Sequence, residues 1–387
     1  MKRSEGRILT THAGSLIRPP AVADFSAKVQ AGSPVDQDEY DAALRTAVAD
    51  VVRRQAEAGI DVVDDGEFSK SSWATYINQR VSGFKHDAGR DMAINYTGRD
   101  SDRFGEFFET PAGGGRRRRW RGADVCVEPI LYTDKHSIKR DIENLKSAAS
   151  GSQVEEAFLP VVAPASAAYN GVNDFYKSDE EYVYALADAL RHEYLAIYES
   201  GLLLQVDDAV LANAYDDLMA RSPETYRTWA ELRIEALNHA LRGIPEDRVR
   251  YHLCYGSWHA PHVSDAPLEE IIDLILRVNA GAYSIEAANV RHEHEWRVWE
   301  DVQLPEGKVL IPGVVTHHTI SVEHPRLVAD RIVRYARIVG RENVIAGTDC
   351  GFQQGAQVER VHPTIMWAKL EALSEGARIA SRELWSE

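Results

Sequence analysis

The 387-residue chain is long enough to bury one large α/β core or two smaller ones. Its 44% hydrophobic and 27% charged residues are ordinary for a water-exposed globular protein, and a formal net charge of −16 argues against a nucleic-acid partner. No uninterrupted apolar segment approaches the ~18 residues that cross a bilayer, the charged start Met1-Lys2-Arg3 is no signal peptide, and three cysteines make no disulfide framework, so a reducing cytoplasm fits and no membrane partner is expected.

Ile8-Leu9-Thr10-Thr11-His12 opens the chain as a short strand candidate, ended by Ala13-Gly14-Ser15. Residues 37–58 put Tyr40, Leu44, Val48 and Val52 on one helical face. Gly59 stops that helix, and Ile60-Asp61-Val62-Val63 begins a strand running into Asp64-Asp65-Gly66-Glu67. The same helix–glycine–strand cassette recurs at helix 181–200 with Gly201, helix 268–280 with Gly281, and helix 326–339 with Gly340. Glycine just past a helix accepts the left-handed conformation that turns the chain back. Further apolar runs bring the strand candidates to eight, starting near residues 8, 60, 158, 202, 249, 282, 308 and 343. Strands alternating with helices predict a parallel sheet, and eight such units predict a (β/α)8 TIM barrel, a single α/β catalytic domain over 1–387. A doubly wound sheet is the alternative, but no Gly-x-Gly-x-x-Gly turn follows the first strand. Residues 84–150 break the cadence and read as an insertion after the second strand, either a lid or a subunit-contact arm of a homo-oligomer. Within it, Gly113-Gly114-Gly115-Arg116-Arg117-Arg118-Arg119 reads as a solvated loop, with an anion-binding or subunit-contact loop as the alternative.

Functional residues of such a barrel gather at the C-terminal ends of its strands. Here those ends carry Ser15, Glu67, Asp207, His252 and Cys254, Glu286, His317 and His318, and Asp349 and Cys350. Buried carboxylates are costly unless paired or used, although Asp207-Asp208 before a helix is also readable as a cap. His252 and Cys254 are two apart on one strand and so face the same way. With Cys350, and Glu286 as a carboxylate candidate, they could form a tetrahedral zinc site; a buried histidine with two inert thiols is the plainer reading. Zn2+ lowers the pKa of a coordinated thiol, and the thiolate is the nucleophile. A poor electrophile needs its leaving group protonated, for which His318 is the best-placed general acid, with His317 beside it. His259, His262, His292 and His294 read as loop or outer residues.

Six motifs in order, Thr10-Thr11-His12-Ala13-Gly14-Ser15, Asp65-Gly66-Glu67, Gln205-Val206-Asp207, His252-Leu253-Cys254, Ser284-Ile285-Glu286 and Asp349-Cys350-Gly351, carry a resemblance. The chain resembles the catalytic C-terminal barrel of cobalamin-independent methionine synthase and its short single-barrel relatives, which include epoxyalkane:coenzyme M transferase. The resemblance implies zinc held by His252, Cys254, Glu286 and Cys350. It implies that Ser15, Glu67 and Asp207 hold the amino-acid end of homocysteine and that His318 serves as acid for a folate nitrogen. Two departures stand out: the chain has no room for the second barrel of a full methionine synthase, and the stretch 164–170 lacks the family's folate-stacking tryptophan.

The first expectation is therefore zinc-dependent transfer of a methyl or other small alkyl group from an alkyl donor to a small-molecule thiol such as homocysteine. The second is epoxide opening by a thiol; coenzyme M would need a cation for its sulfonate, with Arg18, Lys70 and Arg291 as candidates. A non-catalytic, zinc-stabilised binding protein is the third.

Overall fold

Strand candidates flanked by helices on the outside and by each other within must be apolar on both faces. Among the residues described by the computed structural model (1–30, 33–110, 122–169, 171–355 and 360–386), the runs so identified are buried at nearly every position. Eleven strands occur in those residues: β1 (Leu9–Thr10), β2 (Val62–Val63), β3 (Phe84–Asp87), β4 (Ala123–Cys126), β5 (Glu156–Val162), β6 (Gly171–Asn173), β7 (Leu203–Asp208), β8 (Val249–Leu253), β9 (Ala282–Ile285), β10 (Val309–Val315) and β11 (Ile345–Thr348).

Eight of them, in the order β1-β11-β10-β9-β8-β7-β5-β2, form one sheet whose neighbours all run parallel. These are the eight segments anticipated from the sequence, and with their surrounding helices they make an α/β (β/α)8 TIM barrel. β1 and β2 are only two residues long, so the seam between them is made largely by side chains. The Asp61 N–H donates to the Thr10 carbonyl at 3.1 Å. The Asp61 carboxylate accepts from the Thr10 N–H (2.9 Å) and from Arg7 (2.7 and 2.8 Å), and the Thr11 hydroxyl donates to the Val62 carbonyl (2.9 Å).

The outer helices begin at side-chain caps: Asp36 before Gln37–Glu57, Asp134 before Lys135–Ser150, Ser178 before Asp179–Glu199 and Ser222 before Pro223–Ala240. The helix expected over 268–280 stops earlier, at Leu268–Ile275. Gly281 does not take the left-handed conformation assigned to it. It is needed because a Cβ there would lie 2.6 Å from the Glu246 carbonyl oxygen.

Lys135–Ser150 is a barrel helix packed beside Gln37–Glu57, with Arg140 on Asp41 at 3.0 Å. The span 84–150 therefore ends in the barrel's own layer. Its earlier part supplies β3 and β4, which with β6 make a small side sheet, and two short helices. Asp100 on the first of these accepts from the Val263 N–H (3.0 Å) and the Ser264 hydroxyl (2.9 Å), which lays this segment on the loop after β8. The Gly113–Arg119 run lies outside the described residues. No helix among the described residues is long and apolar enough to cross a membrane.

Asp61 is the main polar link across the seam. Asp61→Ala should destabilise the fold by about 1–3 kcal/mol, the scale of a lost hydrogen-bonded carboxylate with buried partners; a urea midpoint equal to that of the wild type would show that the seam does not depend on it.

Candidate metal centre at the barrel mouth

β8 places His252 and, just past its end, Cys254 on the inner face; Cys350 follows β11. One ligand atom from each of His252, Cys254 and Cys350 lies within 4.8 Å of the other two. The two sulfurs are 3.4 Å apart. His252 Nδ1 lies 3.1 Å from the Ser284 hydroxyl, while its Nε2 is buried without a hydrogen-bond partner. The Ser257 hydroxyl donates to Cys350 Sγ at 2.9 Å and the Gly256 N–H to Cys254 Sγ at 3.2 Å. The hydrogen bond from Cys254, outweighing burial together with His252 and Ser257, holds the Cys350 thiol well below its ordinary pKa. The same bond, reinforced by burial, pushes Cys254 well above. Of the two, Cys350 is thus the more acidic thiol. An imidazole nitrogen lacking a partner beside two sulfurs is a donor set that suits Zn2+.

Glu286 stands at the end of β9 as expected, but outside that group of three. Its oxygens accept from the Tyr255 N–H (3.0 Å) and the Asn289 amide (2.9 Å). Burial, then Asp349, raises its pKa well above the usual carboxylate range.

The thiol pair adjoins a pocket of carboxylates. Asp207 is paired in register with His252 across β7 and β8. Glu67, in a left-handed conformation (φ 58°), sets its carboxylate over Gly14, where a Cβ would lie 2.7 Å from Oε1. Ser15 comes next, its hydroxyl against Gly351. Burial, then Glu67, pushes Asp207 up to about 7. Lys70 Nζ donates to Glu67 Oε2 (3.1 Å) and to the Pro160 carbonyl (2.6 Å). Asp208, by contrast, serves as the cap, accepting from the Leu211 N–H (3.2 Å), the Ser166 hydroxyl (2.8 Å) and the Tyr251 hydroxyl (3.1 Å).

His317 and His318 follow β10. His317 is fully buried with both ring nitrogens unpartnered; His318 is partly exposed, and its Nε2 is unpartnered. Burial, then His262, lowers His318 to about 3, so the ring is neutral at pH 7. His262 and His292 join the loops after β8 and β9 through Asp265, at 3.0 and 3.1 Å, and Glu295 accepts from the other side of His292 at 2.8 Å. His259 and His294 are exposed.

Two contributors escaped the sequence reading and a third was read for another task. Ser257 is a polar loop residue that nothing in its spacing marks, while Lys70, a candidate for binding a sulfonate, instead holds Glu67. Trp73 packs against Ala209, Cys254 and Cys350, with Tyr169 edge-on at 5.0 Å and Tyr96 stacked on Tyr169 at 4.5 Å. The ring against the two sulfurs thus comes from the loop after β2; Asn170 of the stretch 164–170 lies outside the described residues. The only signal was a tryptophan six positions beyond Glu67.

The pattern of the cobalamin-independent synthase catalytic domain matches residues 8–99 and 128–369. The chain belongs to this family. A curated methionine synthase from Thermococcus kodakarensis is 23% identical over 354 residues, covering 91% of this chain and 87% of its own. Another from Saccharolobus solfataricus is 22% identical over 378 residues, covering 97% and 95%. The structure of a B12-independent methionine synthase from Shewanella sp. W3-18-1 in complex with selenomethionine shares the fold with a TM-score of 0.74 at 21% identity, over 98% of this chain and 100% of that one. A putative vitamin-B12 independent methionine synthase from Listeria monocytogenes gives 0.66 at 20% identity, again over 98% and 100%. The family pattern passes over residues 100–127, which lie within the span 84–150.

Proposed function

We propose that this chain is a methyltransferase acting on the sulfur of homocysteine, with Zn2+ held by His252, Cys254 and Cys350 and with Glu286 as the fourth ligand. The observation that carries this reading is the convergence of an unpartnered imidazole nitrogen and two sulfurs within 4.8 Å, beside a pocket of carboxylates. The methionine synthase relatives support it, because they match along nearly their whole length and so are about as long as this chain. Length therefore does not weigh against the reading.

Zinc so bound supplies a Lewis acid that lets a thiol ionise at neutral pH. Glu67 and Asp207 take the ammonium end of the amino acid, and Ser15 lies at its far end. Lys70 balances one of the two carboxylates, so the incoming ammonium does not enter a doubly negative pocket. Trp73, backed by Tyr169, keeps water from the sulfurs and presents a ring to a flat methyl donor. His318 offers an N–H to the leaving atom. Being neutral, it acts as an electrophile of the kind a buried imidazole can be, rather than as a preformed imidazolium.

The epoxide reading would need a free cation for the sulfonate of coenzyme M. Arg18 is buried and donates to the carbonyls of Glu67, Lys70 and Gln353, and Lys70 is held by Glu67 and Pro160. Arg291, at the surface, donates to the Val263 carbonyl. No observation favours that alternative.

Supplied with zinc, homocysteine and methyltetrahydrofolate, the purified protein should yield methionine by mass spectrometry and contain about one zinc per chain. Zinc should be lost in Cys254→Ser and Cys350→Ser and kept in Cys126→Ser; full occupancy in either of the first two would refute the ligand set. A cobalt-substituted protein whose spectrum ignores added thiol would instead support the binding-protein alternative.

Asp207 gives a pH signature. Its carboxyl titrates at about 7, so it is neutral below that pH and attracts an ammonium only above it. The KM for homocysteine should fall as pH rises through about 7, and in Asp207→Asn it should be roughly ten- to a hundredfold higher and lose that dependence. A pH-independent KM in the wild type would remove Asp207 from the ammonium site.

His318→Asn should lower kcat on the order of 10²–10⁴-fold while zinc and thiol binding persist. Near-normal turnover would take the proton-donor role away from this ring.

A further inference from the structure

The reaction proposed above sets a selectivity problem, because an electrophile arriving at the mouth meets the sulfurs of Cys254 and Cys350 as well as the substrate's. If Cys350 were the nucleophile, its lone pair would form a bond to the methyl carbon, the bond to the leaving group would break, and that group would depart with the electron pair. The enzyme would be left S-methylated and dead. Thiolates keep their reactivity only while their lone pairs are free, and a hydrogen bond to a metal-held sulfur draws density away from it.

Both protein sulfurs carry such a bond. Ser257, 5% exposed, donates its hydroxyl to Cys350 Sγ at 2.9 Å and lies 3.8 Å from Cys254 Sγ. Cys254 receives the Gly256 N–H at 3.2 Å. That N–H is aimed by a left-handed turn (φ 87°) which only glycine fits, since a Cβ there would lie 2.1 Å from the Trp258 ring. We infer that Ser257 and the Gly256 N–H cap the two protein sulfurs and so direct the alkyl group to the sulfur of the substrate. Ser257 is on this view a specificity-determining residue, and the inference rests on the metal-site reading above.

The test uses methyl iodide as the probe on zinc-loaded wild type, Ser257→Ala and Ser257→Thr, with S-methylation of each cysteine followed by peptide mass spectrometry and zinc measured on the same samples. Thiolate nucleophilicity falls about half as steeply as basicity, so removing one strong hydrogen bond should speed Cys350 methylation roughly three- to tenfold. The ratio of Cys350 to Cys254 methylation should rise in Ser257→Ala and return toward the wild-type value in Ser257→Thr, which keeps the hydroxyl. An unchanged ratio in Ser257→Ala at equal zinc content overturns the inference and leaves the metal reading intact. Loss of zinc from Ser257→Ala alone also overturns it, making Ser257 a support of the ligands rather than a cap. A wild type that binds no zinc overturns both.

Discussion

The rim of this barrel gathers carboxyl groups out of water. Asp64, Asp65, Glu67, Glu286 and Asp349 are all buried there, with Asp207 half-buried and the Cys350 thiol beside them. Of the nearby cations, Lys70 pairs with Glu67, while Arg18 is taken up by backbone carbonyls. Taking carboxylates out of water favours their neutral forms, and burial moves Asp65 and Asp349 up to about 6 and Asp207 to about 7. A divalent cation and an ammonium group are the species that such a rim would relieve, and these are the two that the proposed reaction brings.

Holding that much like charge together requires loops that do not move apart. Asp349 accepts from the N–H groups of Ala287 and Ala288 (2.7 and 2.8 Å), joining the end of β11 to the loop after β9. The His262–Asp265–His292–Glu295 chain joins the loops after β8 and β9. Burial opposes a charge on His292, but its bonds to Asp265 and Glu295 outweigh burial and raise it to about 10, so a buried imidazolium sits between two carboxylates. Arg18 stitches the Glu67 loop to Gln353 beyond β11. Ser72 bridges to Gly355, and the Trp73 N–H donates to the Gln354 carbonyl at 2.9 Å, so the aromatic wall travels with the loop that carries Cys350.

What the sequence disclosed follows from what its signals encode. Burial on both faces writes a strand as an unbroken apolar run, and parallel order writes helices between the runs, so all eight barrel strands were legible. The strands β3, β4 and β6 were not, because Phe84-Lys85-His86-Asp87, Ala123-Asp124-Val125-Cys126 and Gly171-Val172-Asn173 are only three or four residues long and interrupted by polar residues or glycine. His252, Cys254 and Cys350 announced themselves by residue type at strand ends. Ser257 and Trp73 gave no such notice, and Lys70 was legible as a cation but not as the partner of Glu67, since a loop residue acquires its role from where the loop folds back. The neutral state of His318 was equally hidden: it comes from burial beside His262, which belongs to a different loop and reaches this ring only in the folded barrel.

The seam between β1 and β2 and the lateness of Cys350 have a joint consequence for how the molecule is made. The carboxylate pocket is drawn from residues 15–207, and the sulfur and imidazole donors from residues 252–350. A nascent chain therefore emerges with Ser15, Glu67 and Asp207 first and cannot offer a complete donor set until β11, the strand that locks against β1, has been synthesised. At the proposed site, metal capture would on this ordering belong to the final act of assembly, and the ion would be a seal on the finished barrel rather than a nucleus for it.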